Sequence, residues 1–112
     1  MKIRRMNTIQ SESGHEGTVA QWKLLRTDDF LSSMNTFNAN ILAPSSSVKP
    51  HQHESDEQIW FILSGVGIVK VGDEEKEVRE GDAVYLPPRL THTMRNTGTY
   101  PLRLLAIGAK IK

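Results

Sequence analysis

Short apolar runs separated by turn residues dominate this chain, and helical periodicity is scarce. The runs are rich in Val, Ile, Leu and aromatic residues and are cut by Gly, Pro, Asn and Asp, which is typical of β-sandwiches and barrels. The predicted strands cover residues 17–25, 34–43, 58–63, 68–71, 76–79, 83–86, 92–96 and 101–107. This pattern predicts an all-β fold.

The strand predicted at 34–43 has one apolar and one polar face. Phe37, Ala39 and Ile41 share one parity, and Asn38 and Asn40 share the other. Successive side chains of a strand point to opposite sides, so the two sets are separated. We expect this strand to lie between a core and a wet cavity that the two asparagines line. The alternative is that they face solvent.

The segment QIWFIL at 58–63 is apolar on both faces. Such a strand must be covered on both sides. In a small barrel the lumen covers one face, and a second sheet or a second subunit covers the other, so we expect a homodimer. Trp60 has the parity of Gln58 and should face the lumen, either as core filler or as a wall of a substrate pocket.

Length and charge limit the possibilities further. The chain has 112 residues, which fits one domain at 1–112, with a core at about 17–109 and an N-terminal arm at 1–16. The 14 basic and 13 acidic residues give a net charge of +1. This balance offers no basic patch for nucleic acid. Lys2, Arg4 and Arg5 are interpreted as a solvated terminus.

Cysteine is missing from the sequence, which excludes disulfides and thiolate metal ligands. No apolar stretch approaches the ~20 residues of a membrane span, and the N-terminus lacks the apolar core of a signal peptide. We therefore expect a cytoplasmic protein without membrane contact.

Four histidines are present, and two of them have metal-ligand spacing. His51 and His53 are two residues apart, so both imidazoles point to the same side of an extended segment. Imidazole suits zinc, copper, iron and nickel. In isolation this pair could equally be two surface or core histidines. His15 lies in a Ser- and Gly-rich segment and is interpreted as a surface residue.

The sequence around this pair reads PHQHESDEQIWFILSG at 50–65. It resembles the first motif of the cupin family, in which H-x-H is followed after four residues by Glu and after six more by Gly. His51, His53 and Gly65 are in register with that motif. Gln58 occupies the glutamate position.

A second stretch at 81–96 reads GDAVYLPPRLTHTMRN. It resembles the second cupin motif, with Gly81, Pro87, His92 and Asn96 in register and Arg89 at a position where glycine is usual. The resemblance is to small single-domain bacterial-type cupins. It implies a double-stranded β-helix, or jelly-roll barrel, of two antiparallel sheets with a metal inside. It also implies that His92 is the third histidine ligand.

The fourth ligand position leaves three possibilities: Gln58, the adjacent Glu57 through a register shift, or a site of histidines alone. Spacing to Gly65 and the parity shared by Gln58, Trp60 and Ile62 both favour Gln58, because a one-residue slip would turn the whole set over. The metal set is therefore His51, His53, Gln58 and His92. The expected cofactor is one divalent ion, either Mn, Fe, Ni or Zn.

Three imidazoles and a carboxamide are all neutral, so they leave the ion's charge uncompensated. Such an ion should be a strong Lewis acid. We therefore expect a metal-dependent isomerase or lyase acting on a small polar substrate, such as a sugar acid or a hydroxy or keto acid. The alternatives are a non-catalytic module that binds a small ligand or metal, and an iron-dependent dioxygenase. No catalytic residue is assigned.

Other residues are candidates for the pocket wall because of their position near the two motifs: Trp60, Met94, Asn38, Asn40, Tyr85 and Arg89. Met94 shares the parity of His92 and, like Trp60, could be either core filler or a wall of the pocket. Tyr85 is not expected to be catalytic, because a phenol with a pKa near ~10 needs special help to exchange protons. Arg89 could steer an anion, or it could be an ordinary surface arginine.

Overall fold

The computed structural model describes residues 1–14 and 19–111, and within them nine β-strands form two antiparallel sheets. The strands are β1 (Glu12–Gly14), β2 (Val19–Arg26), β3 (Met34–Leu42), β4 (Asp56–Ser64), β5 (Val66–Val71), β6 (Glu74–Arg79), β7 (Ala83–Leu86), β8 (His92–Asn96) and β9 (Leu102–Lys110). Two short 3₁₀ turns lie at Met6–Thr8 and Thr27–Asp29. The all-β prediction is confirmed.

The larger sheet has the order β1-β2-β3-β9-β4-β7, and the smaller has the order β6-β5-β8. The segment that precedes β4 extends the smaller sheet irregularly. Single antiparallel bridges join Ser47 to Arg95 and His51 to His92. The two sheets face each other across the interior, which is the jelly-roll arrangement that the sequence predicts.

Large apolar side chains from both sheets fill one end of this interior. The bulkiest ones with almost no exposure are Leu42, Ile62, Leu86, Met94, Leu102 and Leu104. The other end is more open. Gly108 of β9 lies there between Thr36 of β3 and Gln58 of β4, and both of these side chains are only half-buried. The barrel is therefore solid at one end and hollow towards the other.

Asn96, from the second motif, has a structural role. Its buried side chain donates hydrogen bonds from Nδ2 to the carbonyl oxygens of Leu42 and Tyr100, at 3.0 and 2.8 Å. Its Oδ1 accepts one from the Gly98 backbone, at 2.9 Å. These bonds tie the turn that follows β8 to the end of β3.

The N-terminal arm predicted at 1–16 is not wholly peripheral. Residues Glu12–Gly14 pair with β2 as an edge strand. Lys2 and Arg4 each contact the carboxylate of Asp29 at 2.9 Å, so part of the basic terminus is paired. His15 and the first two residues of the strand predicted at 17–25 lie outside the described residues. Within the described ranges, no helix is long and apolar enough to cross a bilayer.

Candidate metal centre

Three histidines converge between the two sheets. The nitrogen atoms of His51, His53 and His92 that could bind a metal all lie within 4.8 Å of one another, and Nε2 of His51 is 3.0 Å from Nε2 of His92. Reciprocal backbone hydrogen bonds between His51 and His92, at 3.2 and 2.8 Å, hold the first motif against β8. The two motifs therefore meet in space.

Backbone carbonyls orient two of the rings. Nδ1 of His51 lies 2.9 Å from the Lys49 carbonyl oxygen, and Nδ1 of His92 lies 3.4 Å from that of Leu90. A carbonyl can only accept, so Nδ1 carries the proton in each bond and Nε2 presents a lone pair. Two lone pairs 3.0 Å apart favour a shared cation. This is the orienting contact that metal-binding histidines commonly make.

The third ring has a pKa that favours its neutral form. Burial, followed by the proximity of His51, lowers the pKa of His53, and Asp56 opposes part of this effect. A metal ligand must be neutral imidazole, so the environment of His53 favours the state that can bind.

Arg89 contacts the segment that carries His53 through both its backbone and its side chain. Its φ of 64° lies in the left-handed region, which explains why glycine is usual at this motif position. From this conformation its N–H donates to the His53 carbonyl at 2.7 Å, and Nη1 donates to the Glu54 carbonyl at 3.2 Å. The side chain holds the histidine segment from outside and does not line the cavity, contrary to the pocket expectation.

A cavity of about 210 Å³ lies beside the histidines. His51, His53, Gln58 and Trp60 line it, and the Trp60 ring packs edge-on against His92 with 5.3 Å between centroids. Its other lining residues are Gln21, Thr36, Asn38, Asn40, Val48, Leu104 and Ala106. Asn38 and Asn40 are thus among the lining residues, and each is only 8% exposed.

Gln58 and Glu57 point in different directions. Gln58 lines the cavity, and a Cβ built on Gly108 would lie only 3.1 Å from its Cγ and 3.1 Å from Cβ of Thr36. Glu57 accepts a hydrogen bond of 2.8 Å from the Tyr85 hydroxyl, and neither residue lines the cavity. The orientation of β4 therefore favours Gln58 over Glu57 as the residue beside the histidines.

Two more expected pocket residues lie elsewhere. Met94 is fully buried in the apolar core, because the lumen at its level is filled by neighbouring side chains. Tyr85 is on the outer face of β7 and is largely exposed. Its hydrogen bond to Glu57 raises the pKa of the phenol, so the hydroxyl gives up its proton less readily.

Sequence reasoning missed several lining residues, including Thr36 and Gln21. Thr36 shares the parity of Asn38 and Asn40, so extending the alternation by one step would have found it. Gln21 faces Asn40 only through the pairing of β2 with β3. No local pattern reveals that pairing.

Comparison with known proteins agrees with this geometry. A family model for the cupin domain, Cupin_2, matches residues 40–108. The chain belongs to the cupin domain family. This confirms the resemblance carried by the two motifs and the jelly-roll fold.

Two comparisons with Thermotoga maritima proteins cover most of this cupin. An oxalate-binding protein is 29% identical over 99 residues, which are 88% of this chain and 82% of that protein. A solved structure described as a predicted oxalate decarboxylase has a TM-score of 0.89 at 27% identity, covering 98% of this chain and 100% of the other.

Other matches cover a shorter stretch or have a lower sequence identity. The protein MJ1618 of Methanocaldococcus jannaschii is 37% identical over 65 residues, and this match covers 58% of the chain but only 52% of that protein. KdgF from Halomonas is 15% identical with a TM-score of 0.83, so it is similar in fold.

Proposed function

We propose that this cupin holds one divalent metal ion on His51, His53, Gln58 and His92 and binds a small organic acid at that ion. The observation that carries the proposal is the convergence of three imidazoles beside the cavity, with two Nε2 atoms 3.0 Å apart. Metal–nitrogen bonds of about 2.1 Å require ligand nitrogens at roughly this separation. The donor set fits Mn, Fe, Ni or Zn.

Each residue of the set has a definable task. His51 and His92 present Nε2 because their Nδ1 atoms face carbonyl oxygens. Gln58 supplies a neutral oxygen from β4, so the ion keeps more of its charge than beside a carboxylate. When bound, the ion would polarise an oxygen of the ligand as a Lewis acid.

An organic acid suits the charge and size of this cavity. The described residues that line it include no Lys, Arg, Asp or Glu, so a ligand's carboxylate would be balanced by the metal. The volume of about 210 Å³ holds a small molecule, because a water occupies about 30 Å³. Similarity to an oxalate-binding protein over most of both chains supports a carboxylate ligand.

The lining favours binding over turnover. Among the described residues around the cavity, the ionisable side chains are histidines, and we assign them to the metal. An isomerase or lyase needs a proton donor or acceptor near the substrate. Isomerase or lyase activity therefore stays a prediction, as does the iron-dependent dioxygenase, and the binding module is the function this geometry supports best.

Metal content and ligand binding test the proposal together. We expect about one metal per chain by elemental analysis of wild type, strong loss in His92→Ala and partial loss in Gln58→Ala. Glu57→Ala is the matched control and should keep its metal. Titration calorimetry should detect oxalate binding to the metal-loaded protein and none after chelation. Metal loss in Glu57→Ala alone, or oxalate binding without metal, would contradict it.

We also propose that the chain forms a homodimer through the outer face of β4. Ile59, Phe61 and Leu63 are 41%, 36% and 42% exposed, respectively, on neighbouring outward positions of one strand. Tyr85 adds a further exposed ring beside them, since it pairs with Ile59 across β4 and β7. An apolar surface of this kind is a common interaction site.

Light scattering coupled to gel filtration tests the dimer. We expect twice the chain mass for wild type and a monomer for Phe61→Glu. Leu31→Glu, which changes an exposed leucine outside β4, should remain dimeric. A monomeric wild type would contradict the proposal. The cytoplasmic location stays a prediction.

A further inference from the structure

The cavity has a polar wall opposite the histidines, made by carboxamides on the larger sheet. Asn38 and Asn40 are each only 8% exposed, and Gln21 faces Asn40 across β2 and β3. On the β9 side their neighbours are Ala106 and Leu104, so the two asparagines border apolar side chains there. This wall belongs to one sheet, and His92 belongs to the other.

Asn40 carries an unsatisfied polar atom. Its Oδ1 is buried and has no hydrogen-bond partner. A leucine would fill the same space without desolvating an amide, since unpaired buried polar groups lower stability. Packing therefore gives no reason for asparagine here, and the orphaned oxygen points to a partner that enters the cavity.

The chemistry of the wall specifies that partner. A carboxamide offers both donors and an acceptor, and rotation exchanges them, so it pairs well with hydroxyl groups that also do both. A carboxylate oxygen can only accept, so it cannot satisfy Oδ1 of Asn40. Lys23 pairs with Asn38 across β2 and β3, but its Nζ is 3.5 Å from Glu12 and it does not line the cavity. The described lining residues include no Lys or Arg, so a second carboxylate of the ligand would find no cation among them.

We propose that Asn38 and Asn40 form a hydroxyl-recognition subsite, and that the ligand is a small hydroxylated carboxylic acid whose carboxylate lies at the metal. This inference rests on the proposed metal and organic-acid site. It makes the two asparagines specificity determinants: they select among acids by the hydroxyl group that reaches the wall.

Lactate and glycerate provide a matched pair of probes, because both have an α-hydroxyl next to the carboxylate and glycerate adds one distal hydroxyl. We would measure the affinity of each by titration calorimetry on metal-loaded protein, using enantiomers of matching configuration. We expect glycerate to bind wild type about tenfold more tightly than lactate, the range of one or two hydrogen bonds.

Variants of Asn38 and Asn40 test whether these residues cause the preference for glycerate over lactate. Asn40→Leu and Asn38→Leu should each reduce the glycerate preference to less than about threefold. Asn7→Leu makes the same exchange at an exposed position outside the cavity lining and should keep the preference. Asn40→Leu should also melt at a higher temperature without ligand, because it removes the orphaned oxygen. If Asn40→Leu does not fold, Asn40→Ser is a second variant that also removes the amide.

The outcomes separate this inference from the proposed function. Equal affinity of wild type for both acids, or an unchanged preference in both leucine variants, would overturn the hydroxyl subsite. Binding of oxalate without binding of lactate or glycerate would also overturn it and leave the metal and acid site intact. If metal-loaded protein binds none of the three acids, both proposals fail.

Discussion

Replacing Gly108 with alanine adds one methyl group between Gln58 and Thr36. The new Cβ would lie 3.1 Å from Cγ of Gln58, 3.1 Å from Cβ of Thr36 and 3.2 Å from its Oγ1. Ordinary van der Waals contacts between carbons are about 3.5–4.0 Å. The two side chains must therefore separate by a few tenths of an ångström, and Gln58 must move within the cavity.

The magnitude follows from two opposing terms. Overpacking costs about 1–3 kcal/mol, and replacing glycine stabilises a chain by about 0.4–1 kcal/mol through the unfolded state. We expect the metal-free variant to lose about 1 kcal/mol of unfolding free energy. Displacing Gln58 should weaken metal binding about tenfold, within the range seen when contacts that orient metal ligands are disturbed.

Gly98→Ala is the matched control, because its Cβ would lie 2.9 Å from Cγ2 of Val66, away from the cavity lining. We expect it to lower stability and leave metal affinity unchanged. Urea unfolding of the metal-free proteins and competition with a chromogenic chelator provide the two measurements. Wild-type metal affinity in Gly108→Ala, or an equal loss in both variants, would refute the argument that Gln58 depends on this glycine.

Three further substitutions test individual contacts. Arg89→Gly should raise the unfolding free energy by about 0.5–1 kcal/mol in urea titrations, because the strain of a left-handed residue, about 1–2 kcal/mol, exceeds the unfolded-state entropy that glycine adds, about 0.4–1 kcal/mol. Destabilisation would show that the arginine side chain matters more. Gln58→Glu should bind metal about tenfold more tightly or better, because a carboxylate attracts the ion, and weaker binding in the chelator assay would argue against a ligand at this position. In ultraviolet titrations Tyr85 should ionise above the usual phenol range, because the hydrogen bond to Glu57 raises its pKa. Glu57→Gln should lower this pKa towards the usual range, and an unchanged titration would show that Glu57 does not bond the phenol.

Much of the fold was predictable from alternation and turn residues. The bounds expected for β7 and β8 agree with the structure, and other strands differ by a few residues at their ends. The strand β1 was missed because Glu12–Gly14 is short and polar, and its pairing with β2 is a tertiary contact.

The candidate site was predictable where it depends on sequence spacing. The two motifs identified the three histidines that the structure brings together, and parity placed Gln58 and Trp60 on the lumen side. Parity separates two faces of a strand but does not say what covers each one. For this reason Asn38 and Asn40 stayed ambiguous, and Met94 stayed open between core filler and pocket wall until the structure placed it in the core.

The most direct test of the metal site is a crystal structure of the metal-loaded protein with anomalous data at the metal edge. We expect one strong peak per chain, about 2.0–2.2 Å from Nε2 of His51 and His92, a ring nitrogen of His53 and Oε1 of Gln58. No peak among these side chains, or a peak bound by Glu57 in place of Gln58, would contradict the proposed centre.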